Sequence, residues 1–253
     1  MRADFLGVPI DLLTMDQTIA RVQEAIATRS RLHHVALNTA KFVNIQTNKE
    51  LREDVLGSDL IGVDGMGIVF AARLFGIRVP ERVTGVDLMM EVLRLCAREH
   101  YRAYFLGAKP DVLQRALQNA ERMFPGIEFA GAQHGYFRKD QESAVVQEIR
   151  EAKADCLFVG MPTPAKELFL TTYRDDLDIP FIMGVGGSID ILAGSVKRAP
   201  LWMQNCGLEW LFRTMQEPRR MWKRYLTTNT AFLVIVVKSL FRPRQASKVS
   251  PIK

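Results

Sequence analysis

Short apolar runs that alternate with segments of helical periodicity are the feature that most constrains the fold of this chain. Six runs, at residues 33–38, 58–65, 102–107, 129–132, 155–160 and 179–184, have the length of strands, and most end at a glycine or a polar residue. Strands that alternate with helices are joined by crossover connections, which pair strands in parallel. The pattern therefore predicts an α/β fold in which helices flank a largely parallel sheet.

The segments between these runs have apolar residues at helical spacing. In residues 40–56 the side chains of Phe42, Val43, Leu51 and Val55 share one face, which predicts a single helix. Further helices are predicted at residues 66–75 and 87–100. Another helix begins near Pro110, because proline is favoured in a first helical turn.

Composition excludes several classes of protein. With 48% hydrophobic and 25% charged residues over 253 positions, the chain is not a disordered, collagen-like or polytopic membrane protein. The three cysteines form no C-x-x-C pair, and the four histidines have no metal-ligand spacing. Asp4 and Asp11 interrupt the apolar residues of the N-terminus, so we expect no secretion signal and a reducing, cytoplasmic location.

Basic residues are concentrated near the C-terminus. Residues 197–253 contain twelve Lys and Arg but only Glu209 and Glu217 as acids, whereas residues 1–196 have a small excess of acids. We therefore divide the chain into a core at residues 1–196 and a basic helical appendage at residues 197–253. Such a charge attracts phosphate groups, which nucleic acids, anionic lipids and diphosphate substrates all carry.

The appendage also contains an apolar stretch. Residues 226–241 are shorter than the ~20 apolar residues that span a bilayer, and Lys and Arg flank them on both sides. A helix of this kind is typical of a membrane surface, which Trp202, Trp210 and Trp222 also favour. The alternative is a helix that packs on the core or on another subunit of a homo-oligomer. No nucleic-acid-binding module is recognisable, so we expect no nucleic acid partner.

The turns that follow the strands contain the residues best placed to bind a ligand. In Rossmann-like sheets, ligands bind beyond the carboxyl ends of the strands. Asn38, Asp64, Gly107, Gly186 and Gly187 occupy such turns, and glycines there let backbone amides approach a phosphate. The sequence thus predicts a site for a nucleotide or a nucleotide sugar. The full G-x-G-x-x-G pattern is absent, but a dinucleotide-dependent oxidoreductase stays an alternative.

Asp176 and Asp178 resemble the D-x-D pair that holds a metal ion on a sugar nucleotide. They lie in a charged segment directly before the run at residues 179–184, which is typical of a solvated loop. We therefore predict no metal site.

Seven blocks of residues carry a more specific signal. They are V-D-G-M-G at 63–67, E-R-V-T-G-V-D-L at 81–88, F-L-G-A-K-P at 105–110, H-G-Y-F at 134–137, G-V-G-G-S-I-D at 184–190, A-G-S-V-K-R-A-P at 193–200, and G-L-E-W-L-F-R at 207–213 with E-P-R-R at 217–220. Together and in this order they resemble the WecG/TagA/CpsF family of glycosyltransferases, and the resemblance covers residues 33–225. It implies a bacterial enzyme of cell-surface polysaccharide assembly.

The resemblance implies transfer of a hexose, of glucose or N-acetylmannosamine type, from a UDP-sugar to a glycosyl-diphospho-polyprenol. It also implies inversion at the anomeric carbon, action at the cytoplasmic face of the membrane and no cofactor besides the donor substrate. The family's proposed base is the acid of the D-G pair, which is Asp64 in this chain. The alternative for Asp64 is to cap the helix that starts at Met66. The appendage is implied to close over the active site and to contact the membrane.

The same resemblance implies a set of substrate-binding residues. Cations and backbone amides would meet the charge on the departing diphosphate, an aromatic ring would stack on uracil, and polar groups would bind sugar hydroxyls. The charge would be met by Arg82, Arg213, Arg220, Gly107, Gly186 and Gly187. The stacking ring is that of Tyr136, Asp190 would bind a sugar hydroxyl, and Asn38 is implied to contact the substrate. For the arginines the alternative is a surface ion pair, and for Asn38, Tyr136 and Asp190 it is a turn, core or capping role.

Lys166 departs from the family pattern. Many members have glutamine where this chain has Lys166, in the block P-T-P-A-K-E at residues 162–167. A cation in place of a neutral amide changes the contact with donor or acceptor, so we count Lys166 among the substrate-binding residues and favour an unsubstituted hexose such as glucose. A further alternative is a non-catalytic protein of the same fold that docks on a membrane or binds a nucleotide.

Overall fold

The main sheet of the protein has six strands, and all of its pairings are parallel. The computed structural model describes residues 1–241, without the side chain of Arg220. An N-terminal hairpin, formed by β1 (Arg2–Phe5) and β2 (Val8–Asp11), is a separate two-stranded sheet. The strands of the main sheet are β3 (Leu32–Leu37), β4 (Leu60–Val63), β5 (Arg102–Gly107), β6 (Glu128–Gln133), β7 (Cys156–Gly160) and β8 (Phe181–Gly184), in the order β4-β3-β8-β7-β5-β6.

Helices connect these strands and form the C-terminal part of the described chain. In chain order they are α1 (Met15–Ala27), α2 (Thr39–Asn44), α3 (Lys49–Leu56), α4 (Met66–Leu74), α5 (Gly85–Glu99), α6 (Pro110–Met123), α7 (Glu142–Glu151), α8 (Ala165–Tyr173), α9 (Ser188–Leu192), α10 (Leu201–Asn205), α11 (Glu209–Gln216) and α12 (Pro218–Leu240). A 3-10 turn at Lys139–Gln141 precedes α7.

Both faces of the sheet are covered, so successive strand residues are buried on opposite sides. Cys156 and Phe158 of β7 pack in a core with α1, α5, α6 and α9, whereas Leu157 and Val159 pack in a core with α7 and α8. The hairpin, α2, α3, α4 and α12 pack against β3 and β4. This double covering explains the apolar runs, and the predicted α/β class with a parallel, helix-flanked sheet is confirmed.

The region predicted as one helix at residues 40–56 is two helices. α2 ends at Asn44, and α3 starts after Asn48, whose Oδ1 accepts a hydrogen bond from the Leu51 amide at 2.7 Å. An asparagine cap satisfies the first amides of a new helix, which allows the chain to turn between the two. The N-terminal hairpin was not predicted, because two strands of four residues are too short to show a periodicity.

The C-terminal helix packs on the core along one side. α12 buries Thr228, Phe232 and Val236, and the Phe232 ring meets the Phe42 ring of α2 at a centroid distance of 5.6 Å. Another side of α12 exposes apolar residues, namely Leu226, Leu233, Val234, Val237 and Leu240. Within residues 1–241, no helix is both long and apolar enough to cross a bilayer. The flanking cations Arg242, Arg244 and Lys248 lie outside the described residues.

Two buried histidines are neighbours on β3. His33 and His34 are each 1% exposed, and no nitrogen of either ring has a hydrogen-bond partner among the residues described. Burial lowers the pKa of both rings to about 3, and the positive charge of Lys41 adds to the effect. Both rings are therefore neutral in the folded chain at neutral pH.

We expect acid to destabilise the fold through these two side chains. The unfolded chain binds a proton on each histidine below its ordinary pKa of 6.5, whereas the folded chain does so only near 3, so stability falls as the pH falls between these values. At pH 5 the loss of unfolding free energy relative to pH 7 is about 2 kcal/mol per histidine. Urea unfolding at both pH values measures it.

Replacement of both His33 and His34 by Gln should remove this part of the pH dependence. His100→Gln is the control, since the His100 side chain is 74% exposed. A double variant that loses as much stability at pH 5 as the native protein would contradict the assignment.

Candidate functional site

The carboxyl ends of the strands bring the predicted residues to one edge of the sheet. Asn38 follows β3, Asp64 follows β4, residues 186–187 follow β8, and Gly107 ends β5. Because β3 and β4 are neighbours, Asn38 and Asp64 lie side by side, and the Asp64 amide donates a hydrogen bond to the Leu37 carbonyl at 3.0 Å. This edge is where parallel α/β sheets bind their ligands.

Asp64 does not cap the helix that follows it. The N-cap of α4 is Gly65, and this helix start has no side-chain cap hydrogen bond. The Asp64 carboxylate instead faces the first turn of α5, where the Gly85 amide donates a hydrogen bond to Oδ1 at 3.3 Å. The capping alternative is therefore wrong, and the carboxylate is held by a different helix.

The surroundings of Asp64 raise the pKa of its carboxyl above the ordinary value. Burial is the largest cause, and the negative charge of Glu209 adds to it, whereas Arg82, the Gly85 amide and Arg213 oppose it. A carboxylate with a raised pKa takes up a proton more readily than an exposed aspartate. That property suits a general base.

Arg82 lies between the main chain of Asp64 and an acid of the appendage. Its Nη1 is 3.4 Å from the Asp64 carbonyl oxygen and 3.4 Å from Glu209 Oε2, and its side chain is 15% exposed. A guanidinium has five donors, so one ion pair leaves Arg82 able to bind a further anion. Glu209 was not among the predicted residues. The available signal was its position as one of two acids in a basic segment.

The appendage contributes further charges to this edge. Arg213 lies on α11, one turn after Glu209, and its charge lowers the pKa of the Asp64 carboxyl. Tyr225 of α12 is also near these groups; burial is the main reason why its pKa is raised. Arg220 lies on α12, but its side chain is outside what the structure describes, so its role stays a prediction.

Glycines shape the middle of the edge. Gly107 has φ +134°, and a Cβ added there would lie 2.5 Å from the carbonyl carbon of Gly160, at the end of β7. A Cβ added to Gly160 would lie 2.4 Å from Cδ1 of Ile189. Gly186 has φ +49° with open space around it, and Gly187 is the N-cap of α9. The backbones at Gly107 and Gly160 are thus too close for a side chain at Gly107.

Lys166 is buried and paired. It is 6% exposed, its Nζ lies 2.7 Å from Glu167 Oε1, and its stem passes over Gly184 at the end of β8. Thr163 donates a hydrogen bond to the same Glu167 oxygen at 3.1 Å. An internal ion pair therefore engages the Lys166 ammonium, and its contact with a substrate stays a prediction.

Other charged residues that were not predicted lie near this pair. Burial and the charge of Lys166 lower the pKa of Lys41 on α2 to about 8, and burial raises that of Asp54 on α3 to about 6. Asp54 Oδ1 also lies 4.0 Å from His33 Nε2. Opposite charges on α2, α3 and α8 thus balance one another. No local pattern marks such a group, because its members are distant along the chain.

The remaining predicted residues lie on loops and helix starts at the same edge. Tyr136 follows β6 and is 66% exposed, so it is not a core tyrosine and its ring is accessible for stacking. Asp190 lies in the first turn of α9. Asn38 caps α2, because its Oδ1 accepts a hydrogen bond from the Lys41 amide at 3.0 Å. The cap leaves the Asn38 amide nitrogen as a donor for a ligand.

The D-x-D pair lies away from these residues. Asp176 and Asp178 precede β8, at the edge of the sheet opposite to Asp64. Among residues 1–241, no group of three His, Cys, Asp or Glu side chains is arranged to hold a metal ion.

The sequence is similar to known enzymes over most of its length. The glycosyl transferase WecG/TagA/CpsF family matches residues 3–246. Proteins of Staphylococcus aureus strains MW2 and NCTC 8325 / PS 47 are each 32% identical to this chain over 226 residues, which is 88% of this chain and 86% of each relative. Both relatives are named N-acetylglucosaminyldiphosphoundecaprenol N-acetyl-beta-D-mannosaminyltransferase.

We expect Glu209→Gln to lower the pKa of the Asp64 carboxyl. The substitution removes a nearby negative charge that raises this pKa, so Asp64 loses its proton at a lower pH. Titration of the aspartate side-chain carbons by NMR measures the change, with Glu121→Gln on the exposed side of α6 as the control. An Asp64 titration that is identical in Glu209→Gln and the native protein would refute the coupling between the two carboxylates.

Proposed function

The chain belongs to the WecG/TagA/CpsF family of glycosyl transferases, and from this premise we propose that it transfers N-acetylmannosamine from a UDP-sugar to an N-acetylglucosaminyl-diphospho-polyprenol. Its family makes it a glycosyltransferase of lipid-linked polysaccharide biosynthesis. The sugars, the location and the roles of individual residues are the proposal. The observation that carries it is the half-buried Asp64 carboxylate, held by the Gly85 amide beside Arg82.

Asp64 is the proposed general base. The acceptor hydroxyl attacks the anomeric carbon from the face opposite UDP, so a carbon–oxygen bond forms with inversion while the bond to UDP breaks. The hydroxyl proton passes to the Asp64 carboxylate, and the electron pair of the broken bond leaves with the UDP phosphate. The raised pKa of Asp64 supports this role, because a good base must hold the proton that it takes.

Arg82 and Arg213 are the proposed partners of the diphosphate. Negative charge grows on UDP as the bond breaks, and cations in a partly buried site stabilise that charge. The side chain of Arg82 is 15% exposed. The charge of Arg213 lowers the pKa of Asp64, which supports a position of Arg213 near the same carboxylate. Arg220 is proposed for the same task on the family resemblance.

The other assignments follow from position. The exposed Tyr136 ring would stack on uracil, and the free amide donor of Asn38 and the carboxylate of Asp190 would bind sugar hydroxyls. Backbone amides of Gly107, Gly186 and Gly187 would approach the phosphates.

N-acetylmannosamine, rather than glucose, is the proposed donor sugar. The names of both relatives specify N-acetylmannosaminyl transfer to a lipid-linked N-acetylglucosamine. The preference for glucose depended on a direct contact between Lys166 and the substrate. The burial of Lys166 against Glu167 weakens that argument.

We place the enzyme at the cytoplasmic face of the membrane, as a peripheral protein. The polyprenyl chain of the acceptor lies in the bilayer, so its diphosphate is reached at the membrane surface. The exposed apolar side of α12, with Leu233, Val237 and Leu240, supports contact with lipid, and Lys223 and Arg224 of the same helix would attract anionic head groups.

Asp64→Asn is expected to lower kcat for acceptor-dependent UDP release by at least about 100-fold, because an amide cannot take up the proton. The assay offers UDP-N-acetylmannosamine, UDP-N-acetylglucosamine and UDP-glucose, each with and without N-acetylglucosaminyl-diphospho-polyprenol. Asp176→Asn is the matched control: this aspartate is exposed at the opposite edge of the sheet and should retain full activity.

Each part of the proposal has its own contrary result. Full activity in Asp64→Asn would exclude the base, and release from UDP-glucose alone would exclude the donor. Loss of activity in Asp176→Asn would restore the D-x-D hypothesis. Saturable binding of NAD(H) without binding of UDP would favour an oxidoreductase.

Combined substitution of Leu233, Val237 and Leu240 by Ser should weaken binding to anionic vesicles by about tenfold or more, because these side chains are exposed and apolar. Added salt should also weaken the binding of the native protein, because it screens the attraction between the basic residues and the anionic lipid. Point substitutions are preferable to removal of α12, which covers the core around Phe42.

A matched triple variant, in which Leu56, Met123 and Leu168 on exposed parts of other helices become Ser, is the control. Vesicle sedimentation measures both variants. Equal binding by the two would exclude α12 as the membrane contact.

A further inference from the structure

An ion pair joins the start of the appendage to α5 next to the site. The Arg198 guanidinium makes two hydrogen bonds to the Asp87 carboxylate, from Nη1 to Oδ1 and from Nη2 to Oδ2 at 2.6 Å. Nη2 also lies 3.3 Å from Thr84 Oγ1. The pair is partly buried, with 26% of the Arg198 side chain and 39% of the Asp87 side chain exposed.

On the core side, this pair holds the turn that contacts Asp64. Thr84 is the N-cap of α5; its Oγ1 accepts a hydrogen bond from the Asp87 amide at 3.1 Å and donates one to Asp87 Oδ2 at 2.7 Å. Gly85, which directly follows Thr84, donates its amide to the Asp64 carboxylate at 3.3 Å. The residues bonded to Arg198 therefore orient the amide that holds Asp64.

On the appendage side, Lys197, the residue before Arg198, is hydrogen-bonded to the end of α11. The Lys197 amide donates to Gln216 Oε1 at 3.1 Å, and Gln216 Nε2 donates to the Lys197 carbonyl at 3.0 Å. Gln216 ends α11, the helix that carries Glu209 and Arg213. Arg198 thus connects α5 of the core to a segment that is hydrogen-bonded to α11.

Stability alone does not account for this arrangement. Arg198 Nε is buried with no hydrogen-bond partner among the residues described, and an unsatisfied buried donor costs free energy. A partly buried ion pair is also weak evidence for net stabilisation. The Arg198 guanidinium nevertheless makes three hydrogen bonds to the turn at Thr84 and Asp87. These bonds fix the position of the appendage relative to that turn.

We propose that Arg198 is a positioning residue: through its hydrogen bonds to Thr84 and Asp87 it fixes the position of α11 relative to Asp64. In this position Glu209 pairs with Arg82, and the charges of Glu209 and Arg213 lie near the Asp64 carboxylate. The inference rests on the proposed function of the site, although the attachment can be measured without turnover.

A double-mutant cycle on glycosyl transfer tests the positioning role. Arg198→Gln and Asp87→Asn should each lower kcat by about tenfold or more while the donor KM changes less than about threefold, because misplaced charges affect the transition state more than substrate binding. The double variant should lose no more than either single variant.

Arg2→Gln is the matched control for this cycle. Arg2 also makes two hydrogen bonds to one aspartate, Asp11, at 3.1 and 2.9 Å, but at the N-terminal hairpin. Its loss should lower the melting temperature and leave kcat unchanged. A kcat that falls equally in Arg2→Gln and Arg198→Gln would show a general loss of stability and overturn the positioning role.

Hydrogen exchange tests the attachment without activity. In Arg198→Gln, the amides of residues 84–87 and 209–216 should exchange faster than in the native protein, and exchange at these amides should not change in Arg2→Gln. Unchanged exchange would overturn the attachment, and faster exchange with native kcat would overturn the positioning role. Faster exchange in Arg198→Gln, together with no glycosyl transfer by the native protein, would overturn the proposed function and support the attachment.

Discussion

The hydrogen bond from the Gly85 amide to the Asp64 carboxylate is the contact on which the arrangement of the site depends. It joins the end of β4 to the start of α5, two elements that are 21 residues apart at the points of contact. A helix start favours a negative charge, whereas burial and the nearby Glu209 disfavour it. The carboxylate is thus held in place by one helix and kept basic by another. Arg82 lies shortly before α5 in the chain, and its Nη1 donates a hydrogen bond to the Asp64 carbonyl oxygen.

The fold and the edge of the site could be predicted because both follow from local patterns. Apolar runs separated by helical segments can form few structures other than a parallel sheet with crossover helices. The topology then places the residue after each strand at the same edge. This rule alone places Asn38, Asp64 and Gly107 at that edge, and it does not depend on the sequence family.

The partners of these residues could not be predicted, since they depend on contacts between distant segments. Glu209 meets Arg82 across 127 positions of sequence, and no pattern near either residue indicates that contact. Lys166 was predicted to contact the substrate from its place in the family pattern, and that contact stays a prediction. Its ion pair with the next residue, Glu167, was not predicted. The break between α2 and α3 was missed because the apolar residues on either side of Asn48 continue to share a helical spacing.

The close approach of β5 and β7 has a consequence for how sequences of this kind can diverge. A side chain at Gly107 would collide with the backbone of Gly160, which no substitution elsewhere can remove. A side chain at Gly160 would collide with the end of the Ile189 side chain, which a smaller residue at 189 would relieve. Position 107 is therefore closed to change in any descendant that keeps this sheet, whereas positions 160 and 189 are free to drift as a pair. In an alignment of divergent relatives, the first glycine would appear as an invariant column and the second as one half of a covarying pair.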